Sequence, residues 1–218
     1  MQGIGNDIIA LSSIDVSRTQ KPGFYSKILA QSEQQLYHDS FSYIPFEYFV
    51  WLLWSVKESA YKCLQRQQPA LVFSPVNTVI TAIELPTGTP PVFSEQIESE
   101  GFNNDYSFII NVTFHTQTLY ARSIIFGDEV IHTVASFNPV FDPIHWGVKR
   151  IEETEPESQS SEVRRFLLAK YQTIIPGREL KVGKSASGYP FISLDGQDTG
   201  TEVSLSHHGE WVGYAMAL

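Results

Sequence analysis

The sequence predicts an α+β protein in two parts, each mixing helix and strand, and three features support this. Apolar residues recur at helical spacing over residues 46–67 and again at Val163, Phe166, Leu167 and Tyr171. Short apolar runs bounded by turn residues read as strands in both halves. Between them, residues 152–161 (EETEPESQSS) combine acids, serines and a proline with no aliphatic residue, the composition of a linker. With 218 residues, 42% hydrophobic and 13% aromatic, the chain can bury one large core or two small ones.

In chain order, residues 4–11 read as a short strand interrupted by Gly5-Asn6-Asp7, a tripeptide suited to a tight backbone excursion. Ser32 with Gln35 resembles a capping box opening a short helix through Leu36. The clearest helix spans 46–67, with Phe46, Phe49, Val50, Leu53, Val56, Ala60 and Leu64 on one side. Strands are expected at 76–85, 106–112, 119–126 and 130–137. After the linker comes a second amphipathic helix, ended by Pro176-Gly177, and then strands at 190–194, 202–205 and 211–218. The expected division is residues 1–150 and 151–218.

Composition excludes several function classes. The net charge is −9, and the excess lies in the middle: residues 84–157 carry three Lys/Arg against twelve Asp/Glu, whereas the segments on either side are balanced. Nucleic-acid binding, which needs clustered cations, is not expected. Cys63 is the single cysteine and cannot form an intramolecular disulfide, and the N-terminus carries an acid where a signal peptide needs basic residues. The longest purely apolar run, residues 49–54, is too short to span a bilayer, so a cytoplasmic protein with no membrane association is expected.

Three stretches carry candidate chemistry. In Trp54-Ser55-Val56-Lys57-Glu58-Ser59-Ala60-Tyr61-Lys62, helical spacing puts an indole, a carboxylate and an ammonium on one face. Alone, Glu58 and Lys62 fit better a surface pair contributing about 0.2–0.5 kcal/mol, since such pairs are ordinary on any helix. Gly3-Ile4-Gly5-Asn6-Asp7 can present a metal-binding carboxylate at a strand end, or an Asp bonded to its own turn. Ser204-Leu205-Ser206-His207-His208-Gly209 can donate several hydrogen bonds to a phosphate, or form a polar turn. A Ser/His hydrolase does not fit, because residues 206 and 207 point to opposite faces if extended and no Gly-x-Ser-x-Gly elbow exists. Gly177 to Ser185 (GRELKVGKS) has five residues between its glycines where a P-loop has four.

In this order, Gly5-Asn6-Asp7, the Trp54–Lys62 helix, the Gly188-Tyr189-Pro190 turn and the Ser204–His207 strand resemble the 4′-phosphopantetheinyl transferase superfamily. The order is similar to that of the short holo-acyl carrier protein synthases, and the length to that of the two-lobed surfactin-type enzymes with the halves permuted. The resemblance implies two similar α+β lobes related by a pseudo-two-fold axis, a monomer, and a site in the cleft between the lobes. It also implies transfer of 4′-phosphopantetheine from coenzyme A, as co-substrate, to a serine of an apo acyl or peptidyl carrier protein, with Mg2+ or Mn2+. On it, Asp7 and Glu58 hold the metal, Glu58 and Lys62 are catalytic, and Ser206, His207, Lys57 and Lys184 bind the coenzyme. The sequence departs from the family where Ile9 replaces a second acid and where Tyr189 stands in place of a phosphate-binding lysine, which Lys184 or Arg178 would replace. Arg18, Lys21 and Lys27 offer a basic patch for an acidic carrier protein, or a solvated loop. An inactive relative that binds a carrier protein or nucleotide remains the alternative.

Overall fold

In a computed structural model that describes residues 3–176 and 179–218, every strand pairing is antiparallel and helices cover the sheets, so the fold is α+β. The strands are β1 (Ile4–Ala10), β2 (Thr78–Glu84), β3 (Gln96–Glu100), β4 (Phe108–Phe114), β5 (Gln117–Phe126), β6 (Val130–Ser136), β7 (Ile144–Arg150), β8 (Leu180–Lys184), β9 (Pro190–Leu194), β10 (Gln197–Asp198), β11 (Glu202–His208) and β12 (Trp211–Ala217). Short helices α1 (Val16–Thr19), α2 (Pro22–Tyr25) and α3 (Gln31–Leu36) precede the long α4 (Phe46–Gln65), and α5 (Pro156–Ile174) follows β7.

A five-stranded sheet runs β1-β6-β5-β4-β2 and a four-stranded sheet runs β11-β12-β7-β3; β10-β9-β8 form a small third sheet. Strand alternation sorts the side chains into three cores. Ile9, Ile131 and Ala135 pack with Phe49, Leu53, Val56 and Ala60 of α4. Ile4, Ile8, Val130 and Val134, on the opposite face, pack against Trp146, Val148, Trp211 and Ala215, which joins the two large sheets. Val212, Tyr214 and Met216 face Val163, Phe166 and Leu167 of α5. The result is a layered order of α4, sheet, sheet and α5, and β1 and β6 are buried on both faces.

Several expectations are corrected. β1 is uninterrupted, and Asp7 sits mid-strand opposite Thr133 of β6 rather than in a turn. The cap of α3 is made by Glu33, whose Oε2 accepts the Ala30 amide at 2.8 Å, not by Ser32 and Gln35. Residues 152–161 are not a linker: Pro156, with the fixed φ that suits a first helical position, opens α5 inside them. The division at residue 150 also fails, because β7 and β3 pair within the sheet built around β12. Among the described residues no helix is long and apolar enough to cross a membrane. Gly177, expected with Pro176 to end α5, and Arg178, expected as a possible cation, lie outside the described residues.

Candidate functional site

The site forms where β1 is wedged between α4 and β11. Alternate residues of β1 face opposite ways, so Gly5, Asp7 and Ile9 turn toward α4 while Ile4, Asn6, Ile8 and Ala10 turn toward the second sheet. Gly5 allows the strand to touch the helix: a Cβ there would stand 2.0 Å from the Ser59 carbonyl oxygen and 2.8 Å from the Cys63 nitrogen. This close approach brings Asp7 to the last turns of α4. Lys62 Nζ then lies 3.2 Å from Asp7 Oδ1 and 3.3 Å from Glu58 Oε1, and it donates to the Asn6 carbonyl at 2.9 Å.

Electrostatics make this cluster short of positive charge. Burial, partly offset by the Lys62 ammonium and reinforced by Glu58, pushes the Asp7 carboxyl up to about 7. Desolvation alone would lower Lys62, but Asp7 and Glu58 outweigh it and hold the ammonium above its ordinary range. Asp7 Oδ2 is buried with no hydrogen-bond partner among the described residues. Two hard oxygen donors, one with an unused buried oxygen, fit a divalent cation that retains water and substrate phosphate oxygens. No group of three or more His, Cys, Asp or Glu side chains suited to a metal occurs among the described residues, and Ile9 is packed into the core beneath α4.

β1 and β11 run side by side without a backbone ladder. Instead Ser204 Oγ accepts the Asn6 amide at 2.8 Å, Ser206 Oγ accepts Asn6 Nδ2 at 2.7 Å, and His208 Nδ1 accepts the Ala10 amide at 3.0 Å. The equal offsets, 6 to 204 and 10 to 208, define a parallel seam stitched by side chains. Ser206 is buried and also donates to the Gly213 carbonyl at 3.3 Å, so its single O–H is used within the fold. His207 points the other way and is exposed; partial desolvation and the nearby charges of Lys62 and Arg164 hold its imidazole below the ordinary range.

Lys57 is also corrected. It is fully buried away from the cluster, with Nζ 2.5 Å from Glu33 Oε2 and 2.7 Å from the Ile28 carbonyl, because five residues of helix separate its direction from that of Lys62. Lys184 is exposed on β8, its side chain beside Gly188.

Two cavities flank the cluster. One, of about 300 Å³, is lined by Lys62, Arg66, Tyr189 and Ser204 among others. The other, of about 560 Å³, is walled by Phe24, Trp51, Trp54 and Phe73, reaches His208, and carries Arg18 and Lys27. Sequence reasoning missed Asn6 and Arg66; continuing the four-residue spacing of Trp54, Glu58 and Lys62 by one step would have found Arg66. Searches of curated proteins and of solved structures each returned no match. The family model described as the 4′-phosphopantetheinyl transferase superfamily matches residues 3–121, more than half of the chain and the part that holds Asp7, Glu58 and Lys62. The chain belongs to the 4′-phosphopantetheinyl transferase superfamily.

Proposed function

We propose that this protein transfers 4′-phosphopantetheine from coenzyme A to a serine hydroxyl of an apo acyl or peptidyl carrier protein, releasing 3′,5′-ADP. One observation carries the reading. Trp54, Glu58 and Lys62 on α4 and Arg66 at its C-cap recur every four residues, a line about 18 Å long at 1.5 Å per residue, with a largely apolar cavity at its Trp54 end and a basic cleft at its Arg66 end. Coenzyme A has the same order of parts: a thin pantetheine arm, a pyrophosphate and a phosphorylated nucleotide. Laid along the line, its pyrophosphate meets Glu58 and Lys62.

The serine oxygen attacks the β-phosphorus and the bond to the bridging pyrophosphate oxygen breaks, a displacement governed by positioning and charge neutralisation. A divalent cation held by Asp7 and Glu58, magnesium or manganese, would neutralise pyrophosphate charge when bound. Glu58 takes the serine proton, and Lys62 stabilises the charge that develops on the leaving 3′,5′-ADP. Arg18, Lys21 and Lys27 are exposed, with Arg18 and Lys27 on the large cavity, which suits an acidic carrier protein delivering its serine from that side. β11 of the same chain closes the site through Asn6 and Ala10, which supports a monomer as the working unit; two lobes about a pseudo-two-fold axis belong to the same reading.

Incubating an apo carrier protein with this protein, coenzyme A and magnesium, then weighing the carrier by mass spectrometry, tests the reading. A gain of the phosphopantetheine mass is expected. An unmodified carrier across acyl and peptidyl types, with coenzyme A nevertheless bound, would make the protein a non-catalytic binder.

A further inference from the structure

Helix α4 turns a narrow strip of small side chains toward β1. Ser55, Ser59 and Cys63 recur there every four residues, and all three are buried. Contacts along the strip run in register. Cys63 Sγ donates to the Gly3 carbonyl at 3.0 Å, and a Cβ on Gly5 would meet the Ser59 carbonyl oxygen. Two residues of strand advance about 6.6 Å and four residues of helix about 6 Å, so the next step brings Asp7 level with Ser55. The two hydroxyls of the strip then differ. Ser59 Oγ donates to the Thr133 carbonyl at 3.3 Å. Ser55 Oγ has no hydrogen-bond partner among the described residues, although a helical serine can turn back to the carbonyl four residues earlier. Asp7 Oδ2 is likewise buried and unpartnered. Burial acts most on that carboxyl and Lys62 opposes it; the Ser55 hydroxyl, close by, acts in the same direction as Lys62.

We infer that Ser55 is a positioning residue, whose hydroxyl donates to Asp7 Oδ2 and fixes the carboxylate for a divalent cation. This rests on the reading of Asp7 and Glu58 as metal ligands. Lys62 engages Oδ1 at 3.2 Å, and the lone pairs of Oδ2 suffice for one hydroxyl and one cation. Because no group of three or more His, Cys, Asp or Glu side chains gathers here among the described residues, the direction of each of the two carboxylates matters more than in a fuller ligand shell. Donors that hold a ligating carboxylate from behind set its orientation and, through it, metal affinity. Packing alone does not call for serine at this position. Alanine would occupy nearly the same space, favour the helix and leave no buried hydroxyl to satisfy.

Titration of the intact protein with manganese, with coenzyme A present and no carrier so that nothing turns over, reads the inference when free manganese is followed by electron paramagnetic resonance. Ser55→Ala is expected to weaken manganese binding by about tenfold or more, while its thermal midpoint equals or exceeds that of wild type. Ser59→Ala, one turn along the same strip, is expected to keep the wild-type affinity. Unfolded chains reduce the number of sites and not their affinity, so stability and positioning are read apart. In transfer assays Ser55→Ala should need more magnesium for its half-maximal rate and regain that rate at saturating magnesium. Ser55→Cys, similar in shape with a weaker donor, should fall between wild type and Ser55→Ala, and it decides the matter if Ser55→Ala folds poorly. Unchanged affinity in the deciding variant, or an equal loss in Ser59→Ala, overturns the inference. Asp7→Asn separates it from the wider reading. If Asp7→Asn abolishes binding and the Ser55 variants do not weaken it, the inference alone falls. If manganese binds Asp7→Asn as well as wild type, or does not bind wild type, the metal reading falls and the inference with it.

Discussion

Glu58 keeps 29% of its side chain in solvent, whereas Asp7 keeps 7%, so the two carboxylates meet substrate differently although Lys62 joins them. The accessible one can receive a proton from an incoming hydroxyl; the buried one is shielded from it. Glu58→Gln is accordingly expected to cut carrier modification by about 10²-fold or more at saturating magnesium while the circular dichroism melt stays near wild type; near-normal turnover would return the Glu58–Lys62 pair to a surface role. Lys57 should behave in the opposite way. Its ammonium is fully buried against Glu33, whose other oxygen accepts the Ile80 amide at 2.8 Å, so Lys57→Met strands a buried carboxylate. A loss of about 3–5 kcal/mol in urea unfolding is expected, with the coenzyme KM unchanged in whatever fraction remains folded. A stable variant with a raised KM would restore Lys57 to the coenzyme site. Asp7, Glu58 and Lys62 were legible because a motif names them and helical spacing puts two on one face. Lys57 was misread because its partner Glu33 lies 24 positions away, and nothing local says which lysine faces inward.

At the scale of elements, the approach of β1 to α4 sets the distance between Asp7 and Lys62. The two atoms nearest a Cβ at Gly5 are backbone and the third is the Lys62 Cβ at 3.0 Å, fixed to its own backbone, so none can swing aside. Gly5→Ala must push strand from helix, at about 1–3 kcal/mol for overpacking, and Asp7 moves with the strand. We expect a lowered urea midpoint together with a fall in transfer larger than the fraction unfolded accounts for. If only stability changes, the contact is structural and the Asp7–Lys62 spacing is not critical. The long elements α4 and α5 and strands β4 and β5 were readable from their apolar periods, and β6 and β12 as short apolar runs between turn residues. β3 and β7 were not. QIESE offers one apolar side chain, and IHWGVKR, buried through its first five residues, shows no clean alternation; both are strands because of the partners they find in the second sheet.

At the scale of the whole molecule, the contact between the two large sheets contains a buried imidazole that the chemistry does not use. His132, on β6, lies 5.2 Å ring to ring from Trp146, neither of its nitrogens has a hydrogen-bond partner among the described residues, and burial pushes it down to about 3. An imidazole neutral in the folded state but with an ordinary pKa of about 6.5 in the unfolded chain takes up its proton only on unfolding. Its contribution to stability is therefore intact above pH 6.5 and declines as pH falls from 6.5 toward 3, with a slope approaching about 1.4 kcal/mol per pH unit. Urea midpoints of wild type and His132→Phe between pH 8 and 4.5 should converge on the alkaline side and separate on the acid side, the variant staying flatter; parallel curves would show that the ring is hydrated and titrates normally. The sheet-on-sheet contact itself was hidden from the sequence, because Ile4, Ile8, Val130 and Val134 only become an inner face once β7 and β12 cover them. The parallel seam has one more consequence, for connectivity. Gly3 and Ile4 at one end of the described chain and Ala217 and Leu218 at the other line the same pocket, while the stitches between β1 and β11 are made by side chains and need no covalent link. Bridging residue 218 to residue 3 with a short linker and opening the chain in the surface stretch between β6 and β7 would reverse the order of the halves and leave every stitch in place. Which half is made first is thus free to change without altering the site.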